Sequence, residues 1–183
     1  ILLLIIYVVG VYNSLVKLRN KVDDQSSQVD IELKKRFDLV PNLVETVKGY
    51  AKHEKETLEE VIKARNSFTS AGNMNEELAA NDNLSNALTK LFALSEAYPD
   101  LKANTNFINL QNSLNEIEEN IAYKRSFYNE TVRMYNDKIM TVPSNIVANI
   151  FNFKEKEYFQ INDKEKEYFQ INDKEKENVK VSF

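Results

Sequence analysis

The chain opens on an uncharged apolar segment. Residues 1–16 carry no charged side chain, and the first charge is Lys17. As a helix this segment would be about 24 Å long, somewhat short of the roughly 20 residues that span a bilayer. Because the chain does not begin with Met, we expect upstream residues to complete a membrane anchor. A cleaved signal peptide and a buried core helix are the alternatives, although no small-residue cleavage site follows the segment.

Apolar side chains then recur at helical spacing. One stripe runs from Leu15 to Phe68 in steps of three, four or seven, and it keeps its register across Pro41. The stripe predicts one amphipathic helix about 80 Å long. We expect a kink at Pro41, because proline removes an amide donor from the helix.

Two further stripes follow after turn signals. Gly72 is predicted to cap the first helix in a left-handed conformation, and the second stripe runs from Met74 to Tyr98. Pro99 forces that helix to stop near Ala97.

The last long stripe predicts a helix from about Thr105 to Met140, and Pro143 then begins a short helix that ends at Ile150. The fold class is therefore all-α. We predict an antiparallel up-and-down helical bundle of three long helices and a short fourth, following the N-terminal transmembrane segment. An extended coiled coil is the rival architecture.

The end of the chain carries a tandem repeat. Residues 154–163 read KEKEYFQIND, residues 164–173 repeat the same ten letters, and residues 174–177 begin a third copy. Perfect identity indicates a recent duplication rather than a solenoid. Charge runs of this kind are usually solvated, which predicts a flexible and functionally silent tail. The domain boundaries are thus 1–16 for the anchor, 17–151 for the bundle and 152–183 for the tail.

Composition excludes several kinds of chemistry. The chain has no cysteine, one histidine and three glycines, so thiolate sites, multi-histidine sites and glycine-rich phosphate loops are not expected. His53-Glu54 begins a zincin-like motif, but Thr57 stands where the second histidine should be. The net charge of −4 gives no reason to expect nucleic acid. We predict no catalytic residue, no metal, no cofactor and no enzymatic activity.

Polar residues on the apolar stripes are more informative. Arg65 and Arg125 fall in core rows, and the pairs Tyr128-Asn129 and Tyr135-Asn136 stand one heptad apart. Such residues usually pair within the fold and determine helix register. The functional alternative is an interaction surface at the edge of the bundle. Glu96 is one candidate partner for Arg125.

Several long runs resemble a known bacterial family. They are residues 12–20 (YNSLVKLRN), 33–44 (LKKRFDLVPNLV), 47–54 (VKGYAKHE) and 95–104 (SEAYPDLKAN), followed by Arg125 and the two Tyr-Asn pairs. Across roughly residues 1–159 the chain resembles the LemA family. The resemblance implies a single-pass membrane protein with a four-helix bundle and no established enzymatic activity. Where the family usually has Gly, this chain has Asn152, a residue type that tolerates the left-handed conformation.

The preferred interpretation is a membrane-anchored interaction or scaffold module, and the alternative is a self-assembling or membrane-shaping protein. Expected partners are the lipid bilayer, unidentified proteins and further copies of the chain. Positive charges at residues 17, 19 and 21 favour a cytoplasmic domain on the bacterial cell membrane, although upstream charges could reverse this. Candidate structural or interaction residues are Arg36, Pro41, Asn42, Arg65, Tyr98, Pro99, Arg125, Tyr128, Asn129, Tyr135 and Asn136.

Overall fold

The computed structural model describes residues 1–159, which form helices and no strand. The all-α prediction is confirmed. In chain order the helices are α1 (Leu2–Tyr50), α2 (Lys55–Thr69), α3 (Met74–Ser95), α4 (Pro99–Lys102), α5 (Thr105–Met140) and α6 (Ser144–Ile150).

The start of α1 is apolar and exposed. Ile1 to Ile6 expose between 53% and 101% of their surface, and the first buried residue is Val11. An 18-residue window of α1 has a mean hydropathy of 1.6 and is only 11% buried. By length and composition α1 could therefore cross a membrane.

The long stripe forms two helices, so the prediction of one helix from Leu15 to Phe68 is wrong. α1 runs through Pro41 and ends at Tyr50, and α2 begins at Lys55. The rings of Phe37 and Phe68 stack with centroids 4.0 Å apart. In one straight helix these residues would lie about 46 Å apart. α2 therefore folds back beside α1.

The break preserves the apolar period, which is why the pattern concealed it. Ala51 in the turn and Leu58 in α2 are both buried, so each side of the break keeps its place in the stripe. Gly49 precedes the turn and is a poor helix former. The Tyr98 hydroxyl donates to Glu54 Oε1 over 2.9 Å and fastens the turn to the start of α4.

The structure divides into two compact units. The central unit is Ser26–Lys124 and holds the second half of α1, the helices α2 to α4 and the first part of α5. Within it α1 and α5 are antiparallel, because Glu32 pairs with Lys124 while the later Tyr50 accepts a hydrogen bond from the earlier Asn104.

The terminal unit is Ile1–Gln25 together with the chain from Arg125 onward. It holds the start of α1, the end of α5, α6 and the extended residues 153–159. Tyr12 contacts Phe151 with ring centroids 4.8 Å apart, and Asp23 pairs with Lys156 over 2.9 Å. Asn152 adopts φ 56°, which confirms the left-handed conformation expected at that position.

Two further expectations need correction. Gly72 is not a left-handed cap, since no glycine in residues 1–159 has positive φ. α2 instead ends on Ser70, and α3 begins with Asn73, whose side chain accepts from Glu76 N. The predicted set of three long helices and one short helix becomes two long helices, two of intermediate length and two short ones.

The fold-back of α2 predicts energetic coupling between the stacked rings. Replacing Phe37 and Phe68 with Leu, singly and together, should give a coupling energy of about 0.5–1.5 kcal/mol in chemical unfolding. Phe37→Leu combined with Thr69→Ala, a change at the exposed neighbour, should be additive. Additivity of the two Phe variants would indicate a continuous helix instead.

Candidate peptide-binding site

Arg36 lies at the centre of a buried polar network in the central unit. It is 1% exposed, donates to Ser85 Oγ over 2.9 Å and to Asn81, and pairs with Glu118 at 3.1 Å. The Ser85 hydroxyl also donates to Glu118. Burial lowers the pKa of Arg36, and the charges of Glu118 and Asp82 oppose that shift.

The network ties α1 to α3 and α5 with partners that belong to the fold. Removing Glu118 would take an ionic partner from the buried guanidinium of Arg36, although the Glu118 side chain is itself 45% exposed. Glu118 is the ion partner of Arg36. The polar groups of this network bond to one another, and we therefore assign the network a structural role.

The other candidates of the central unit are spread over several elements. Pro41 and Asn42 lie on the exposed side of α1, and Arg65 is half-buried on α2. Tyr98 precedes α4, which begins at Pro99.

Arg125 belongs to the terminal unit and is 2% exposed. Glu96, which had been considered as its partner, makes an ion pair with Lys102.

Two asparagines of α5 hold an extended segment of the chain through its backbone. Asn136 Nδ2 donates to the carbonyl of Lys156 and Asn136 Oδ1 accepts from the same residue's N–H, both over 2.9 Å. Seven residues earlier, Asn129 makes the same two bonds to Phe159, over 2.9 and 2.8 Å. Each asparagine amide thus pairs with a peptide group as a neighbouring β-strand would.

The tyrosines add a second pair of contacts. Tyr135 donates its hydroxyl to the carbonyl of Lys154, and Tyr128 donates to that of Glu157, each over 3.0 Å. Burial raises the pKa of both phenols, and for Tyr128 the charges of Asp23 and Glu157 add to the effect. Both hydroxyls therefore stay protonated and remain donors well above neutral pH. We call Tyr128, Asn129, Tyr135 and Asn136 the Tyr–Asn ladder, and residues 154–159 the ladder segment.

The heptad spacing of the ladder has a simple geometric cause. Seven residues of a helix rise about 10.5 Å, and three residues of an extended chain cover about 10 Å. The two asparagines bind residues 156 and 159, and the two tyrosines bind residues 154 and 157. One heptad on α5 therefore matches three residues of the ladder segment. The ladder segment runs antiparallel to α5, because the earlier residue of each pair on α5 binds the later residue of the segment.

Side chains of the ladder segment make only a few of the contacts. Phe159 is 7% exposed and stacks on the Tyr128 ring, with centroids 3.8 Å apart. Lys156 pairs with Asp23. The side chains at positions 154, 155, 157 and 158 are exposed. The ladder and the nearby Asp23 thus contact an extended backbone, one aromatic ring and one positive charge.

This arrangement changes the picture of the tail. Residues 152–183 had been expected to be flexible and solvated, but residues 154–159 pack on α5. The second repeat copy lies outside the described residues. Sequence reasoning singled out the Tyr-Asn pairs and missed what they bind. The heptad spacing of the two pairs was the available signal for an extended partner, because one heptad of a helix rises about as far as three residues of an extended chain cover.

The fold and site together define an all-α, membrane-associated helical protein whose biochemical role is undefined. A family model described as LemA family matches residues 25–172. The chain belongs to the LemA family. Protein LemA of Metamycoplasma hominis is 26% identical over 162 residues, which cover 85% of this chain and 71% of that protein.

Magnetosome proteins of magnetic bacteria are also similar. Magnetosome protein MamQ 2 of Paramagnetospirillum magneticum is 39% identical over 83 residues, and MamQ of Magnetospirillum gryphiswaldense is 35% identical over 82 residues. Each match covers 45% of this chain and only 30% of the MamQ protein. The family and the apolar start of α1 both fit a membrane location.

The ladder predicts a local change in hydrogen exchange. Asn136→Ala removes both bonds to residue 156, so the Lys156 amide should exchange about tenfold faster, as the loss of roughly 1–1.5 kcal/mol implies. Exchange would be followed by mass spectrometry on the full chain in detergent. The matched control is Asn120→Ala at an exposed position of the same helix, which should leave that amide protected. Equal exchange in all three proteins would contradict the ladder.

The repeat predicts a second, less intuitive result. Deleting residues 154–163 places an identical KEKEYF directly after Phe153, so thermal stability should not change. Deleting residues 154–173 places KEKENV there instead, with Val179 at the position of Phe159. Loss of the stacked ring should cost about 1–2 kcal/mol and lower the melting temperature by a few degrees in circular dichroism. Equal destabilisation by both deletions would count against a segment-specific site.

Proposed function

We propose that this protein is a membrane-tethered interaction module that binds extended segments of other proteins on its Tyr–Asn ladder. The observation that carries the proposal is the set of six hydrogen bonds between ladder side chains and the backbone of residues 154–159. A site that binds main-chain groups accepts many sequences. In this proposal the ladder segment is a resident occupant that a partner displaces.

Displacement sets a requirement on the partner. The resident segment is joined to α6 by a short connection, and such tethering produces effective concentrations in the millimolar range. A competing segment must therefore offer side-chain contacts that the resident one lacks. The exposed positions 154, 155, 157 and 158 leave room for these contacts. Besides these additional contacts, we expect a partner to keep the two that the resident segment makes, an aromatic ring at Tyr128 and a basic residue at Asp23.

The membrane supplies the other half of the proposed role. α1 would place the ladder at the surface of the bacterial cell membrane in a single-pass topology, where the local concentration of membrane-bound partners is high. Lys17, Arg19 and Lys21 follow the apolar segment and favour a cytoplasmic ladder. The proposal assigns a binding role and no catalytic step.

A second candidate is self-assembly. Residues 164–169 have the same six letters as the ladder segment, so each chain carries a second copy of the resident sequence. That copy would suit the ladder of a neighbouring molecule. Tandem copies would then link chains through exchanged segments, as in domain swapping.

One photochemical experiment separates these roles. A photoreactive phenylalanine replaces Tyr128, whose ring touches the occupant, in the full chain produced in bacterial membranes. Cross-links identified by mass spectrometry then report what occupies the ladder. Adducts to discrete other proteins would support the interaction module. Adducts that join two chains into a covalent dimer through a KEKEYF sequence would support self-assembly.

The control places the same photoreactive residue at Phe127, an exposed position on the same helix. Partners captured at both positions would be collisional and would be discarded. If the Tyr128 probe reacts only with the ladder segment of its own chain, the ladder is an internal clasp and both proposed roles fail.

A further inference from the structure

The chain around α6 is unusually apolar for a surface. Residues 139–153 contain no charged residue in a chain that is 28% charged. Val142 is 78% exposed, Ile146 57% and Ile150 69%. Ile146 and Ile150 are spaced by four, so they project from one side of α6, and Val142 lies in the turn before the helix.

The opposite side of α6 is already packed. Ser144, Val147 and Ala148 are buried in the terminal unit. A surface helix normally turns its apolar side inward and its polar side outward. α6 has apolar side chains on both sides, and Met140 and Phe151, which flank it in the chain, are also exposed. Large exposed apolar areas on a protein mark contact surfaces.

The position of the patch indicates what covers it. Tyr12 contacts Phe151 and also Phe153, with ring centroids 4.8 and 5.7 Å apart. The patch therefore lies beside α1 just after its exposed apolar residues 1–9, and both belong to the terminal unit. The surface of α6 continues the surface that α1 offers to a bilayer.

Positive side chains follow the apolar start of α1 in the terminal unit. A groove of the terminal unit is lined by Lys17 and Lys21 of α1 and by Lys138 of α5, with Asp137 as its one carboxylate. Lys17 lies about 7.5 Å further along α1 than Tyr12. Apolar groups followed by lysines at this distance match the order of acyl chains and phosphates in the interfacial layer.

We propose that α6 is a second membrane contact, lying in the interfacial layer of an anionic bilayer. Val142, Ile146 and Ile150 enter the upper acyl region, and the three lysines of the groove reach lipid phosphates. The terminal unit then touches the membrane at two places, which restrains its rotation about α1. The inference is independent of the Tyr–Asn ladder.

The chain contains no tryptophan, so a single introduced Trp is a unique probe. Ile146→Trp and Ile150→Trp would be made in the full chain and reconstituted into phosphatidylcholine vesicles whose lipids are brominated near the glycerol end. Interfacial insertion should quench the emission of each probe about twofold or more. Adding phosphatidylglycerol should deepen the quenching, and Lys138→Gln should reduce that gain.

The matched control is Ile31→Trp, at an apolar position that is 49% exposed on the central part of α1. Bromolipid should leave its emission unchanged. If the α6 probes behave like the control, the patch is not in the membrane. If their emission depends on protein density in the vesicle and not on bromine, a second copy of the chain covers the patch. Either result would overturn the proposal.

Discussion

The structure depends on burial of the apolar stripe of α1. A helix cannot bury its own stripe, so other helices must pack along it. Its members Leu15, Val22, Val29, Leu33, Val40 and Val47 are all at most 1% exposed, although they lie along most of a 49-residue helix. Burial of this length requires other helices along the whole stripe. In the central unit the returning helices are α2, α3 and the first part of α5. In the terminal unit they are the end of α5 and α6. The antiparallel arrangement follows because the chain turns back after each helix.

Polar groups then decide how the helices register. Apolar packing alone tolerates a shift of one turn, whereas a buried guanidinium does not, because a shift would leave its donors without acceptors. Arg36 thereby aligns α1 with Asn81 and Ser85 of α3 and Glu118 of α5. The ladder applies the same logic to an extended chain. Its asparagines match peptide groups at steps of three residues, and a slip of one residue would break all of the pairs at once.

The terminal unit concentrates the features that bear on function. It contains the apolar start of α1, the exposed patch of α6 and a ladder that holds a backbone segment. In the proposed role, a site built on backbone contacts would accept many sequences and so would suit changing partners, and its selectivity would rest on a few side-chain positions such as the stacked Phe159. Tethering near a bilayer would raise the local concentration of such partners. The repeated KEKEYF supplies a second sequence of the same chemistry within the chain.

Local pattern was enough to determine the all-α class, the ends of α3 and α5 to within a few residues and the apolar start of α1, and it singled out the two Tyr-Asn pairs. Each of these features depends on residues that are close together in the sequence, through the helical period, the positions of prolines and the heptad spacing. The turn between Tyr50 and Lys55 was decided by tertiary structure, because a turn that keeps Ala51 and Leu58 buried leaves the apolar period intact. The occupant of the ladder was decided in the same way. Residues 154–159 look like a solvated charge run when read alone. Their extended conformation is held by six hydrogen bonds to side chains that lie 19 to 30 residues earlier in the chain, together with the Phe159–Tyr128 stack and the Lys156–Asp23 ion pair.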